Sequence, residues 1–212
     1  MGIPTKYNIT GSDELPAGYK RIDLYYPDPA IYGRLSSLSL GPQCVNYVSK
    51  SIKLYADLVP YSNDDYAEEW QTYLGLWQSE SAGVRIASTS KTYGCVEPRW
   101  DLCFALGSQS GTYTTAFEYG QRYKIMHTWD KSTVNGVAVE QCRGGGNQQA
   151  VTKSFFLGSN RTTNTGYYAI KVWEDNKLLI DCIPAQNPDG VIGLWNRVRK
   201  EFYSHLFHPV ET

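Results

Sequence analysis

The chain has 212 residues, enough for one large β domain or two small ones, and enough to bury a core without metal or disulfide support. Its 20 Lys plus Arg against 21 Asp plus Glu give a net charge of -1 with no block of like charge, which removes the electrostatic drive for binding nucleic acid or a polybasic attachment to membrane. Charged residues are sparse at 19% while aromatics reach 14%, a balance suited to pleated sheets and contact surfaces, and no run of 18 apolar residues predicts membrane insertion.

Residues 1–14 read as an extended arm, polar and broken by Pro4 and Gly11, with no apolar core of a secretion signal; the expectation is a protein made in a cytoplasm and not exported by that route. From residue 15 to 203 short β-branched and aromatic runs alternate with Gly, Asn, Asp, Ser and Pro, the spacing of a sandwich or barrel folded as one domain. The clearest strands are 51–59, 83–88, 102–106, 123–129, 136–141, 154–157, 167–174 and 177–183. Residues 60–80 read as a loop followed by a strand over 72–78. Helical periodicity is almost absent.

Two hairpins follow from turn chemistry. Asp175 and Asn176 tolerate positive φ and sit between two alternating runs, and Asn135-Gly136 is a dipeptide favoured in type I′ turns, flanked by Val134, Val137 and Val139. Gly144-Gly145-Gly146 follows no strand-to-helix pattern and reads as a surface connector, not a phosphate cradle. Residues 204–212 form a tail.

Reactive constellations are missing from the sequence. The cysteines Cys44, Cys95, Cys103, Cys142 and Cys182 make no CxxC pair and have no histidine at ligand spacing, so no metal or other cofactor is expected; they read as reduced core thiols, with Cys95 to Cys103 the best candidate bridge. Asp64-Asp65, Glu68-Glu69 and Glu174-Asp175 are adjacent pairs that point opposite ways on a strand, unlike the same-face acids of a sandwich glucanase. His127 reads as a satisfied sheet residue, and no nucleophile elbow or Cys-His signature accompanies it. The chain is therefore expected not to be an enzyme.

The segment 168–203 carries a more specific pattern. A strand, a short turn and a second strand with Asp181 and Pro184 lead to Asp189-Gly190, Gly193-Leu194 and a final Phe202-Tyr203. Pro184 is expected to end its strand, Asp189-Gly190 to turn with positive φ, and Gly193 to let backbone pass close to a neighbour. This run resembles the closing segment of laminin-G-like, concanavalin A-like domains found in virion and tail proteins of gut bacteriophages and in bacterial surface proteins. Leu15-Pro16-Ala17-Gly18-Tyr19 and the segment from Cys44 to Tyr47 look compatible with it, whereas 20–43 and the tail after Tyr203 depart from the pattern.

The resemblance implies an all-β, two-sheet antiparallel jelly-roll sandwich with extended terminal arms. It also implies a non-catalytic virion component, in a decoration, fibre or tail, that contacts other virion proteins or further copies of itself and binds host-surface or mucosal glycans. A bacterial surface lectin or adhesion module is the alternative, and a degenerate glycoside hydrolase a third reading. Aromatic rings and guanidinium groups on sandwich loops are the usual tools of a carbohydrate site. Tyr93, Glu97, Arg99 and Trp100 cluster in one Pro- and Gly-punctuated loop, and Trp195 joins them as a candidate ligand contact; Trp70 and Trp77 are weaker.

Overall fold

A computed structural model of the chain describes residues 9–10, 15–26, 38–41, 47–48, 51–61, 71–79, 82–89, 97–104, 115–143, 150–151, 154–158 and 165–204. Among the described residues there is no helix. The expected two-sheet β-sandwich is present, its strands antiparallel apart from one short parallel pair.

The larger sheet is built on three long alternating strands. In β5 (Ile52–Pro60), Leu54, Ala56 and Leu58 are fully buried while Lys53 and Tyr55 between them are not, because successive side chains leave a strand on opposite faces. β15 (Thr165–Glu174) runs antiparallel to it, with Ile170 opposite Ala56 and Val172 opposite Leu54. β16 (Lys177–Gln186) completes the hairpin. Its turn is Asp175-Asn176, with φ of 43° and 70°, as the type I′ reading requires. On the other side of β5 lies β9 (Tyr123–His127), joined by β10 (Ser132–Val134) to β11 (Val137–Val139) through Asn135-Gly136, with φ of 51° and 81°.

β2 (Lys20–Ile22) and the residues after it wedge into this sheet. β15 pairs with β16 as far as Ile170 and Cys182, and beyond that point the two strands part. β2 enters the gap, with Arg21 opposite Ala185, and Tyr25 exchanges two hydrogen bonds with Tyr167 at 2.9 and 2.7 Å. Gly166 makes this possible, because a Cβ there would sit 2.7 Å from Leu24 Cδ1. Ile9 and Thr10, expected in an extended arm, pair with Ile22 and Arg21 as β1 (Ile9–Thr10). Pro184 does not end its strand as expected. It lies inside β16 opposite Leu194, at the point where the partner on one edge changes from β15 to β2, so the missing N–H interrupts little.

β17 (Ile192–Asn196) lines the other edge of β16 and carries β18 (Glu201–Tyr203). Gly190 turns with φ of 82°, and a Cβ on Gly193 would lie 2.3 Å from the Tyr203 carbonyl oxygen, so both glycines do what the sequence expects of them.

The second sheet is centred on β6 (Gln71–Ser79), β7 (Ala82–Thr89) and β8 (Arg99–Phe104). β14 (Phe156–Leu157) and β3 (Leu38–Ser39) extend it on one side, and β12 (Cys142–Arg143) on the other. Leu74, Leu76, Val84, Ile86, Trp100, Leu102 and Phe104 meet Leu54, Ile125, Ile170, Val172 and Ile180 of the larger sheet in one continuous core. β4 (Tyr47–Val48) and β13 (Ala150–Val151) form a separate two-stranded ribbon.

Candidate functional site

Of the sequence-predicted contact residues that are described, Glu97 and Arg99 are brought together, while Trp100 and Trp195 lie apart from them and from each other. Glu97 and Arg99 lie at the surface and pair with each other at 3.0 Å, their side chains 53% and 39% exposed. Trp100 follows Arg99 in β8 and therefore leaves the sheet on the opposite face, where it is 0% exposed. Its ring stacks on Phe117 at 4.3 Å and meets the edges of Tyr123 at 5.2 Å and Tyr73 at 5.6 Å.

Trp195 belongs to the other sheet. It is 6% exposed and packs with Ile183 and Ala185 beneath Tyr19, Leu15 and Phe202, a small second core on the outside of the larger sheet. Trp100 and Trp195 are thus parts of two cores and present no open ring. Tyr93, Trp70 and the Asn63-Asp64-Asp65 stretch lie outside the described residues, as does the side chain of Trp77. In the Asp175-Asn176 turn, Asn176 Oδ1 accepts a hydrogen bond from Lys53 Nζ at 3.2 Å.

The chemically richest open surface is the outer face of the larger sheet. Lys53, Tyr55 and Asp57 leave β5 on that side, and register sets Trp173, Lys171 and Ala169 of β15 beside them. Asp181 of β16 stands next to Lys171, and Lys124 of β9 next to Asp57. A register shift between Tyr167 and Ala169 also leaves Tyr168 on this side, its ring 3.7 Å beneath the Arg122 guanidinium.

Arg122 is anchored from below as well as above. Its Nε and Nη2 donate to the two oxygens of Asp57 at 2.7 and 2.8 Å, a bidentate fork that holds the guanidinium still more firmly protonated than usual. Partial burial and the Asp57 charge push the Tyr55 hydroxyl up, so it stays a neutral phenol. Asp181 Oδ2 accepts from Arg197 Nη2 at 2.6 Å, with Lys171 Nζ 3.8 Å from Oδ1. Burial nevertheless raises its carboxyl above the usual range, the desolvation cost exceeding the pull of Lys171 and Arg21. Lys53 lies 5.6 Å over the ring of Trp173.

Among the described residues the face carries Arg21, Lys53, Arg122, Lys124, Lys171 and Arg197 against Asp57 and Asp181, with Asp23 near Arg21, on a chain whose net charge is -1. Tyr55, Tyr168 and Trp173 are interleaved with them. Such a surface offers aromatic rings to apolar sugar faces and N–H forks to hydroxyl or carboxylate oxygens. Asp57 and Asp181 are two strands and two residues apart, roughly 12 Å by sheet spacing. That exceeds the ~5–9.5 Å over which paired acids cleave a glycosidic bond.

His127 is buried in the sandwich. Its Nδ1 lies 2.7 Å from Ser132 Oγ and its Nε2 3.2 Å from the Cys103 carbonyl, while Ser132 Oγ donates to Gln141 Oε1 at 2.7 Å. It is a bonded sheet residue, as its sequence context suggests. Among the described residues no group of His, Cys, Asp or Glu side chains has the arrangement of a metal site. Cys103 and Cys182 are both buried, Cys103 with its Sγ donating to Asp101 Oδ1, and Cys95 lies outside the described residues.

The sequence reading missed the outer-face residues, though a signal was there. Lys53, Tyr55 and Asp57 occupy every second position against Leu54, Ala56 and Leu58, and Lys171 and Trp173 alternate with Ile170 and Val172 in the same way. What the sequence does not contain is the register that sets residue 55 beside residue 171.

No protein-family model matches the chain. No curated protein sequence matches it either. Among solved structures it is similar to a Trypanosoma rangeli sialidase in complex with 2,3-difluorosialic acid, a covalent intermediate, at a TM-score of 0.41 and 10% identity. The likeness covers 76% of this chain and 27% of the sialidase chain, so this chain spans about a quarter of that protein's length.

Proposed function

We propose that this chain is a non-catalytic binding and structural domain that engages glycans through the outer face of its larger sheet. The observation that carries this reading is the surface on which Tyr55, Tyr168 and Trp173 are interleaved with Lys53, Lys171 and the Asp57-anchored Arg122. Arg122 is held by two hydrogen bonds and a ring stack, so little side-chain entropy remains to be lost when a ligand docks. The wide separation of Asp57 and Asp181 supports binding over hydrolysis on this face.

The closing pattern from Asp181 to Tyr203 supports a setting as a component of a bacteriophage virion, in contact with other virion proteins or further copies of itself. In the alternative setting, a bacterial surface lectin, the same face serves the same chemistry.

The purified chain on an array of neutral and acidic glycans tests the ligand. Binding to at least one class, weakened tenfold or more in Trp173→Ala and in Lys171→Ala, is the expected result. Binding that is absent, or unchanged in both variants, overturns the assignment of this face. Mass spectrometry of purified particles tests the setting separately, and absence of the chain from particles would overturn the virion role alone.

A further inference from the structure

The chain contains a single Asn-Gly dipeptide, Asn135-Gly136, and both residues are exposed at the turn of the β10–β11 hairpin. Asparagine is a thermolabile residue, and a following glycine leaves the next backbone nitrogen unhindered by any side chain. We propose that Asn135 is a site of spontaneous deamidation in the folded protein, converting to aspartate and isoaspartate through a cyclic imide.

Three local features favour the reaction here. Val134 and Val137 form the ladder pair that closes the hairpin, and among the described residues nothing accepts a hydrogen bond from the Gly136 N–H. A Cβ built on Gly136 would meet nothing within 4 Å, so the rotation about the Asn135 Cα–C bond that closes the imide ring has room. Asn135 Oδ1 accepts from the Lys124 backbone N–H at 2.8 Å, and this is the oxygen on which negative charge builds as nitrogen attacks Cγ. The other described asparagines lack the combination. Asn176 precedes Lys177, and Asn187 is buried and precedes Pro188, whose nitrogen has no proton to lose. Asn196 is fully buried, its Oδ1 accepting from the backbone N–H groups of Asp181, Val198 and Arg199.

Hydroxide from solvent takes the Gly136 amide proton, and the nitrogen attacks Asn135 Cγ. The N–Cγ bond forms, the Cγ–Nδ2 bond breaks, and Nδ2 leaves as ammonia after taking a proton from water. A water molecule then opens the imide. Cleavage of the new N–Cγ bond gives aspartate, whereas cleavage between that nitrogen and the Asn135 carbonyl carbon gives isoaspartate, with the main chain rerouted through Cβ and Cγ. The sum is one water consumed and one ammonia released, with no oxidant or reductant. Isoaspartate adds a methylene to the backbone of a two-residue turn that has no place for it, and either product sets a new carboxylate beside the backbone of Lys124.

The test incubates the full chain without denaturant at neutral and mildly alkaline pH. Samples are then digested with trypsin, whose cuts after Lys131 and Arg143 release residues 132–143. The expected result is loss of the parent peptide to two products, each heavier by the difference between a hydroxyl and an amide NH2 group, and one of them a substrate for an isoaspartate methyltransferase. Conversion is faster at the higher pH. Ammonia release keeps pace with it and is lost in Asn135→Gly, a variant whose Gly-Gly turn still takes positive φ. Residues 132–143 recovered unmodified, or converted only when the chain is unfolded in urea, overturn the proposal, as does ammonia release undiminished in Asn135→Gly.

Discussion

Replacing Trp100 with alanine decides whether that ring is a ligand contact or part of the core. The indole is fully buried, stacked on Phe117 and met edge-on by Tyr73 and Tyr123. Truncating a buried Trp costs about 3–5 kcal/mol through lost transfer energy and the cavity left behind. Three ring contacts, each contributing ~0.5–1.5 kcal/mol beyond area, place this site in the upper half of that range. A loss of about 4 kcal/mol is a large share of the ~5–15 kcal/mol by which a domain is usually stable. Arg99→Ala next door removes only an exposed ion pair, for less than ~1 kcal/mol. Urea unfolding followed by far-ultraviolet circular dichroism measures both, and calorimetric titration with an array-positive glycan runs in parallel. A Trp100→Ala chain within about 1 kcal/mol of the parent, with glycan binding abolished, would refute the core assignment.

Gly193→Ala forces a Cβ against the Tyr203 carbonyl and Phe202 Cζ, at 2.3 and 2.6 Å before any relaxation, and should cost about 1–3 kcal/mol with faster hydrogen exchange in β18. The same stability as the parent would mean that β18 is not docked there. Arg122→Ala should destabilise more than Asp57→Ala, because the first strands a carboxylate whose side chain is 6% exposed and the second only a guanidinium that is 49% exposed. Urea midpoints of the two variants check the order, and a reversed order defeats the argument. Burial pushes the hydroxyls of Tyr73 and Tyr203 up from their ordinary value near 10, so the folded state holds these protons more tightly than the unfolded chain does. Their stabilisation is fully present below about pH 10 and is lost as pH climbs from there through the raised folded values. Stability against pH should bend downward above 10, less steeply in Tyr203→Phe; an identical slope in parent and variant would remove Tyr203 from the account.

The parts of the fold legible in the sequence are those whose causes are local. Asp175-Asn176 and Asn135-Gly136 take positive φ because few other pairs do so cheaply, and the strands flanking them follow. Alternation along 52–58 and 170–173 marks two faces of a sheet without reference to any other part of the chain. Pro184 misled because a proline's effect depends on which neighbour would have used its N–H, and the strand on that edge, β2, comes from the opposite end of the sequence. Trp100 misled through its company: Pro98 and Arg99 suggest a loop, yet its parity with Leu102 and Phe104 already places it on their side of a strand. The outer face was hidden for a third reason, since its members are individually unremarkable and become a surface only through pairings between residues 53–57 and 168–181.

The wedging of β2 between β15 and β16 bears on how the molecule assembles. Tyr25 must wait for Tyr167, 142 positions later, before its backbone groups find partners, and Arg21 waits longer still for Ala185. Hairpins near the carboxyl end can close within themselves, but the seam admitting the early segment cannot form until both of its walls have been synthesised. Contacts of such long sequence separation slow folding, so a chain emerging from the ribosome carries Leu24, Tyr25 and Tyr26 unburied for most of its synthesis.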